Sequence, residues 1–163
     1  MKDGVVQQVD TPQNLYQKPG NLFVAGFMGS PQMNFLDAKI SEKGGNVIAT
    51  IGDADLIVPA DKAKALKDGG YVGKTVILGI RPEDIHDAPE FIKASQSAPM
   101  SSTVKVYELL GAEVFLYFDV NGTQVTARVD PRTSSRTGDK IQFAFDMTKT
   151  HFFDKESELC ICN

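Results

Sequence analysis

The sequence contains no tryptophan and only two cysteines, Cys160 and Cys162. The two cysteines form a lone Cys-x-Cys motif, which supplies neither a disulfide framework nor the four ligands of a structural zinc site. We therefore expect reduced thiols in a frayed terminus, and no metal. The longest apolar stretch, Leu22 to Gly29, is far shorter than the roughly 20 residues that cross a bilayer. No secretory signal follows Met1, so the chain is expected in the cytoplasm.

Basic residues are too few for a typical nucleic-acid-binding protein. Lysine and arginine total 17 against 21 aspartate and glutamate residues, which gives a net charge of −4. Binding to a phosphate backbone normally requires a concentrated excess of positive charge. Hydrophobic residues make up 42% of the chain, as in ordinary globular proteins. We expect a packed domain with no nucleic-acid partner.

The first thirty residues show turn and helix signals. An Asp3-Gly4 turn precedes Val5–Val9, which we predict to be a strand that lacks its hairpin partner. Thr11-Pro12 is typical of a helix start, so a short helix is predicted over residues 13–18. Asn21 is suited to cap a second helix that carries an apolar face.

From Asn34 onward the apolar period changes to two, which indicates short strands and a mainly β fold, as a small barrel or sandwich. Asn121-Gly122 is the clearest hairpin signal because a type I′ turn needs two positive φ angles. A short helix is predicted over 61–68 and an exposed loop or crossover over 88–102. The predicted strands are residues 35–41, 46–51, 56–58, 74–80, 103–110, 114–120, 123–129, 140–146 and 151–153.

No pattern in the sequence indicates an enzyme. Residues 69–75 resemble the end of a phosphate-binding loop, but Asp68 stands where the motif requires glycine, and a β-rich run follows where it requires a helix. The acidic stretch 83–90 around His86 is expected to be a solvated loop, since no nucleophile or cleft motif accompanies it. Several aromatic residues are predicted to fill the core, namely Phe115, Tyr117, Phe143, Phe145, Phe152 and Phe153.

Several segments together resemble the C-terminal part of ATP-binding subunits from maltose-type and multiple-sugar importers of the ABC class. The resemblance extends with gaps over essentially the whole chain and is most specific at the N-terminal junction. It is carried by residues 4–12, 15–16, 19, 23–31, 33–36, 78–84, 108–113, 127–132, 138–139, 144–146, 149 and 151–154.

The resemblance implies a regulatory domain of oligonucleotide-binding-like (TOBE) β-barrels with short N-terminal helices. It divides the chain into residues 1–33, a remnant of the ATPase domain, and residues 34–163, the regulatory barrel domain. The family's Walker A, signature and Walker B motifs do not occur here, so we expect no catalysis and no cofactor, ATP and Mg²⁺ being used by the parent subunit. Residues 1–30 would then lose packing partners at a cut inside a hairpin.

The same resemblance implies a homodimer through the barrel domain. Further partners would be the ATPase domain, the transmembrane permease subunits and a regulator from the phosphotransferase system, at the inner face of the cell membrane. The regulatory or interface residues carried over are Arg81, Glu83, Glu108, Gly111 and Arg128. The alternative functions are a TOBE module that senses a small oxyanion or another ligand and, least favoured, an oligonucleotide-binding barrel.

Overall fold

The computed structural model describes all residues, 1–163, and is built mainly from β-strands. The helices are short: α1 (Pro12–Gln17), α2 (Leu22–Phe27), α3 (Ala60–Asp68) and α4 (Pro89–Ala94). The strands are β1 (Asn34–Lys43), β2 (Asn46–Ile51), β3 (Ala54–Ile57), β4 (Thr75–Ile80), β5 (Ile85–His86), β6 (Met100–Thr103), β7 (Val106–Leu110), β8 (Glu113–Val120), β9 (Thr123–Val129), β10 (Lys140–Phe145), β11 (His151–Phe153) and β12 (Cys160–Cys162). No helix is long and apolar enough to span a membrane.

The largest sheet has six strands in the order β12-β11-β4-β1-β2-β3. Its long strand β1 alternates buried and exposed residues, as a strand with one face on the core requires. Strand β1 pairs antiparallel with β2 on one side and with β4 on the other. Strand β4 ends at Ile80, as predicted, directly before Arg81-Pro82, and proline cannot donate a ladder hydrogen bond.

Two further sheets of three strands each complete the fold, in the orders β5-β10-β6 and β7-β8-β9. The tight turn between β8 and β9 has φ of 49° at Asn121 and 80° at Gly122, which confirms the predicted type I′ hairpin. The hydrogen-bonded ladders do not close on one another, so the mainly β prediction is confirmed with three open sheets rather than one continuous closed barrel.

One apolar core joins the sheets. Phe118 and Phe143 are fully buried and their ring centroids lie 4.6 Å apart, while Phe152 of β11 is buried in the same cluster. Of the six aromatic residues assigned to the core, five are buried, and Tyr117 is half-buried with its hydroxyl on Glu108. The aromatic side chains therefore fill the interior, as predicted.

Several local predictions are wrong. The predicted strand Val5–Val9 is absent: one bridge joins Lys2 to Val5 across the Asp3-Gly4 turn, and without a neighbouring strand the chain then runs on unpaired. The stretch 88–102 is not all loop, because it contains α4 and β6. The terminus is not frayed, since β12 pairs with β11 and half-buries both cysteines. Burial raises the pKa of Cys160 to about 12 and of Cys162 to about 11.

Candidate functional site

Arg81 lies at the centre of the junction between the N-terminal helices and the six-stranded sheet. It follows β4 directly and is only 3% exposed. Its Nη1 donates to the carbonyl oxygen of Met28 at 2.7 Å, and its Nη2 donates to that of Tyr16 at 2.6 Å. The guanidinium carbon also lies 3.7 Å from the centroid of the Tyr16 ring. Burial lowers the pKa of Arg81 to about 10, partly opposed by the charge of Asp84.

Arg81 thereby binds the C-terminal ends of two helices at once. Tyr16 is in the last turn of α1, and Met28 is the C-cap residue of α2. Carbonyl groups at a helix C-terminus lack partners within the helix and carry the negative end of its dipole, so a cation there is favourable. Gly29 leaves room for this contact, because a Cβ at this position would lie 3.0 Å from Nη1 of Arg81.

The helix starts in this junction are also set by local sequence. Thr11 Oγ1 accepts a hydrogen bond from the backbone N–H of Asn14, and Asn21 Oδ1 accepts one from that of Val24. Both helices are therefore capped as the sequence predicts. Neither helix exceeds six residues, so both depend on tertiary contacts such as those with Arg81.

Glu83 and Arg128 come together at a second place, an open groove of about 480 Å³. It lies between the segment after β4 and the ends of β8 and β9, and the β7–β8 turn contributes Ala112. Within the groove, Arg128 Nη1 lies 3.2 Å from Oε1 of Glu113 in a half-exposed ion pair. The predicted residues Glu83 and Arg128 thus share one surface, whereas Arg81 lies in the junction.

Asp84 lies beside this groove, close to the carboxylates of Glu83 and Asp146. Its pKa is raised to about 6, first by burial and then by the neighbouring carboxylates of Glu83 and Asp146. The pKa of His86 is lowered by burial, against the opposing charges of Asp146 and Asp87. The acidic stretch is therefore partly buried against the fold, which corrects the prediction of a solvated loop.

Glu108 and Gly111 lie on the β7–β8 hairpin. Glu108 Oε2 accepts a hydrogen bond from the hydroxyl of Tyr117 at 2.9 Å on the neighbouring strand. Gly111 begins the two-residue turn with φ of 62°, a conformation that favours glycine. Glu108 is thus hydrogen-bonded to the neighbouring strand of its sheet, and Gly111 forms part of the turn at the tip of the hairpin.

The outer edge of β7 is apolar and largely free. Val106, Leu109 and Leu110 are all about half exposed or more, with Leu109 at 57%. Part of this edge is covered, because the backbone N–H of Tyr107 donates to Thr137 Oγ1 at 3.1 Å. Arg136 lies over the Tyr107 ring with its guanidinium carbon 4.5 Å from the centroid. Beyond Tyr107 the edge is open to a partner.

Sequence reasoning missed this apolar edge and the role of Tyr16. The available signal for the edge was the pair Leu109-Leu110 directly before a glycine turn, where a solvated hairpin end would carry polar residues. No comparable signal exists for Tyr16, because its contact with Arg81 joins residues 65 positions apart. No group of three or more His, Cys, Asp or Glu side chains is arranged to hold a metal ion.

Two family models match successive parts of the chain. The MalK OB fold domain matches residues 29–85, and the TOBE domain matches residues 100–152. The chain therefore contains a MalK OB fold domain followed by a TOBE domain. The first match covers strands β1 to β4 and Arg81 but not α1 or α2, and the second covers strands β6 to β10.

Several similar proteins carry the names of sugar-import ATP-binding proteins. The chain is 44% identical over 161 residues to the oligosaccharides import ATP-binding protein MsmX of Bacillus subtilis, covering 99% of this chain and 43% of that protein. It is 42% identical to the multiple sugar-binding transport ATP-binding protein MsmK of Streptococcus mutans, covering 97% and 41%. It is 40% identical to the trehalose/maltose import ATP-binding protein MalK of Thermococcus litoralis, covering 95% and 41%. The chain thus spans less than half the length of these curated relatives.

A solved structure has a fold similar to that of this chain. The cytoplasmic molybdate-binding protein ModG, in a form with molybdate bound, superposes with a TM-score of 0.57 at 16% sequence identity. The match covers 73% of this chain and 94% of ModG. At this identity the likeness is evidence for the fold alone.

Proposed function

We propose that this chain is the regulatory and dimerisation domain of the ATP-binding subunit of an ABC sugar importer. The relatives at 40–44% identity match nearly all of it and carry sugar-import names. In that setting its partners are a second copy of itself, the ATPase domain and the permease subunits at the inner face of the membrane. ATP and Mg²⁺ would be used by the ATPase domain and not by this chain.

The apolar edge of β7 is the observation that supports a dimer. Leu109 and Leu110 expose large apolar surface at a strand edge whose outer backbone groups are free beyond Tyr107. A monomeric protein normally blunts such an edge with charge or covers it. A two-fold contact presents the same patch from both copies, and a stable one buries about 1,600 Å² in total. The edge and the adjoining hairpin would supply its centre.

Light scattering coupled to size exclusion tests this proposal at high micromolar protein. We expect a dimer for the unaltered chain and a shift to monomer for Leu109→Lys, since a two-fold contact would bury two like charges. Leu159→Lys is the matched control, because Leu159 is 58% exposed and belongs to the β11–β12 connection. A strictly monomeric chain at this concentration, or equal dissociation by both substitutions, would refute the β7 contact.

The regulatory part of the proposal rests on the groove between Glu83 and Arg128. It is open, and its lining includes Ala112 and Glu113 at the β7–β8 hairpin, so a regulator bound there would contact the hairpin that we assign to the dimer. A protein of the phosphotransferase system is the regulator that we propose. Surface plasmon resonance with Arg128→Glu tests this site, and Lys155→Glu is the control because neither Lys155 nor its ion-pair partner Asp37 lines the groove. Equal loss of regulator binding in both variants would contradict the site.

A further inference from the structure

A larger groove of about 780 Å³ lies on another part of the molecule. It is bounded by α3, by the end of β10 and by the segment 88–99, which we call the strap. Ligand pockets in proteins typically measure about 300–1,000 Å³ and combine an apolar floor with a few polar groups. The size of this groove therefore suits a small organic ligand.

The floor of the groove is apolar and belongs to the core. Five buried side chains form it, namely Val47, Val58, Ala63, Phe145 and Met147. Phe91 of the strap adds an aromatic wall, and its ring is held by the ring of His86 at a centroid distance of 4.1 Å. A ligand in this groove would meet C–H and aromatic surface on two sides.

The charges around the groove cancel one another. Lys64 is paired with Asp68, and Lys67 Nζ lies 3.7 Å from Glu42. The ionisable lining consists of these two lysines, Asp68 and Asp146, so it carries no net charge. Because each of these lysines is paired with a carboxylate, the groove offers no unpaired cation to an anion such as molybdate or phosphate.

Neutral hydrogen-bonding groups occupy the rim, namely Asn46, Ser95, Gln96, Ser97 and Thr148. Ser97 Oγ accepts a hydrogen bond from the backbone N–H of Ile57 at 2.8 Å, which leaves its hydroxyl proton to donate elsewhere. No hydrogen bond within the protein uses the side-chain amide of Gln96. These amides and hydroxyls can accept hydrogen bonds from a ligand, and all except Thr148, whose hydroxyl donates to Asp146 Oδ1 at 2.6 Å, can also donate to it.

The strap is held lightly over the groove. Helix α4 within it buries none of its residues. The bond from Ile57 to Ser97 is a side-chain contact where a paired strand would supply a ladder. Segments with few buried apolar contacts open at low free-energy cost, so the strap can adjust to a ligand without disturbing the sheets.

We propose that the strap groove binds a small neutral carbohydrate. A sugar offers an apolar C–H face to Phe91 and the floor, and many hydroxyls to the neutral rim, whereas the cancelled charges disfavour anions. The ligand class is inferred from the groove itself. That the ligand is a transported sugar rests on the proposed function, and would give the regulatory domain a sensor for it.

Nuclear magnetic resonance titration of the chain with maltose, glucose, molybdate and sulfate tests this site. We expect saturable shifts at millimolar sugar in the amides of α3, residues 95–97 and residues 147–148, and none in that set with either anion. Saturation of the same set by an anion, shifts elsewhere alone, or no response to either sugar would overturn the proposal.

Substitutions test whether the sugar binds in the strap groove rather than elsewhere on the chain. Gln96→Ala removes one rim amide and should weaken sugar binding about threefold to tenfold, as expected for one hydrogen bond. Phe91→Ala should weaken it at least as much, while Phe27→Ala, an aromatic residue that is 73% exposed on α2, should leave the affinity unchanged. Equal affinities for all three variants would refute the site. Light scattering reports the dimer independently, so the two proposals can fail separately.

Discussion

The side chain of Asn34 pairs with the backbone of Thr126 as a neighbouring strand residue would. Its Nδ2 donates to the carbonyl oxygen of Thr126 at 2.9 Å, and its Oδ1 accepts from the N–H of Thr126 at the same distance. Nδ2 also donates to the carbonyl oxygen of Ile80 at 3.2 Å. One buried amide thereby joins the six-stranded sheet to the β7–β9 sheet.

Asn34→Ala should therefore destabilise the whole chain. The substitution leaves the N–H and carbonyl of the half-buried Thr126 without a partner, and such groups cost up to about 1–3 kcal/mol each when buried. We expect the free energy of unfolding to fall by about 2–4 kcal/mol, measured by urea denaturation. Asn46→Ala is the control, because Asn46 is an exposed asparagine at the start of β2. Equal midpoints for the two variants would show that the amide contributes little.

The sequence predicted local structure well where the chemistry is local. The type I′ turn at Asn121-Gly122 follows from two positive φ angles, and the start of α2 follows from one cap at Asn21. Strand β9, at residues 123–129, was predicted to the residue. Turn types and helix caps depend on a few residues that are adjacent in the sequence, so they can be predicted without knowing the fold.

Long-range relationships were beyond the sequence. The Asn34–Thr126 contact spans 92 positions, and no alternation pattern specifies it. Strand β12 was missed because its short Cys-Ile-Cys run forms a strand only beside β11. The predicted site residues separate into a junction around Arg81 and a second surface that carries Glu83, Glu108 and Arg128, since linear motifs do not indicate which surfaces meet.

Arg81→Lys should loosen the N-terminal helices. A lysine ammonium lacks the planar fork of N–H donors with which the guanidinium binds the carbonyl oxygens of Tyr16 and Met28. It also cannot stack on the Tyr16 ring as the guanidinium does. We expect faster hydrogen exchange over residues 12–28, measured by mass spectrometry. Arg132→Lys is the control, since its contact with Asp130 is highly exposed. Unchanged exchange at residues 12–28 would contradict the double cap.

Gly79→Ala should disturb the packing beneath this junction. A Cβ on Gly79, in β4, would lie 2.5 Å from Sδ of Met33 and 3.1 Å from Cε2 of Phe153. Both neighbours are buried, so we expect a loss of about 1–3 kcal/mol from overpacking, measured by thermal or urea unfolding. Gly26→Ala is the matched control, because its Cβ would meet Phe35 at an ordinary 3.4 Å. Unchanged stability of Gly79→Ala would show that the Met33 side chain can move aside to make room for the Cβ.

Asp84 should make stability depend on pH between about 4 and 6. Its pKa is about 6 in the folded chain and about 3.9 when unfolded. The folded state therefore binds the proton more tightly, so this contribution to stability is complete below pH about 4 and is lost as the pH rises through about 6.

Asp84→Asn mimics the protonated carboxyl and should remove that dependence. Because Asp84 is partly exposed, solvent screening reduces the effect, and we expect the variant to be more stable at pH 7 by about 1 kcal/mol. At pH 4 the two proteins should be nearly equal, because Asp84 is protonated in the folded chain. Urea titrations at both pH values measure this, with Asp53→Asn, at an exposed aspartate, as the control. A variant that is less stable at pH 7 would reverse the sign and show that the Asp84 carboxylate is favourably paired.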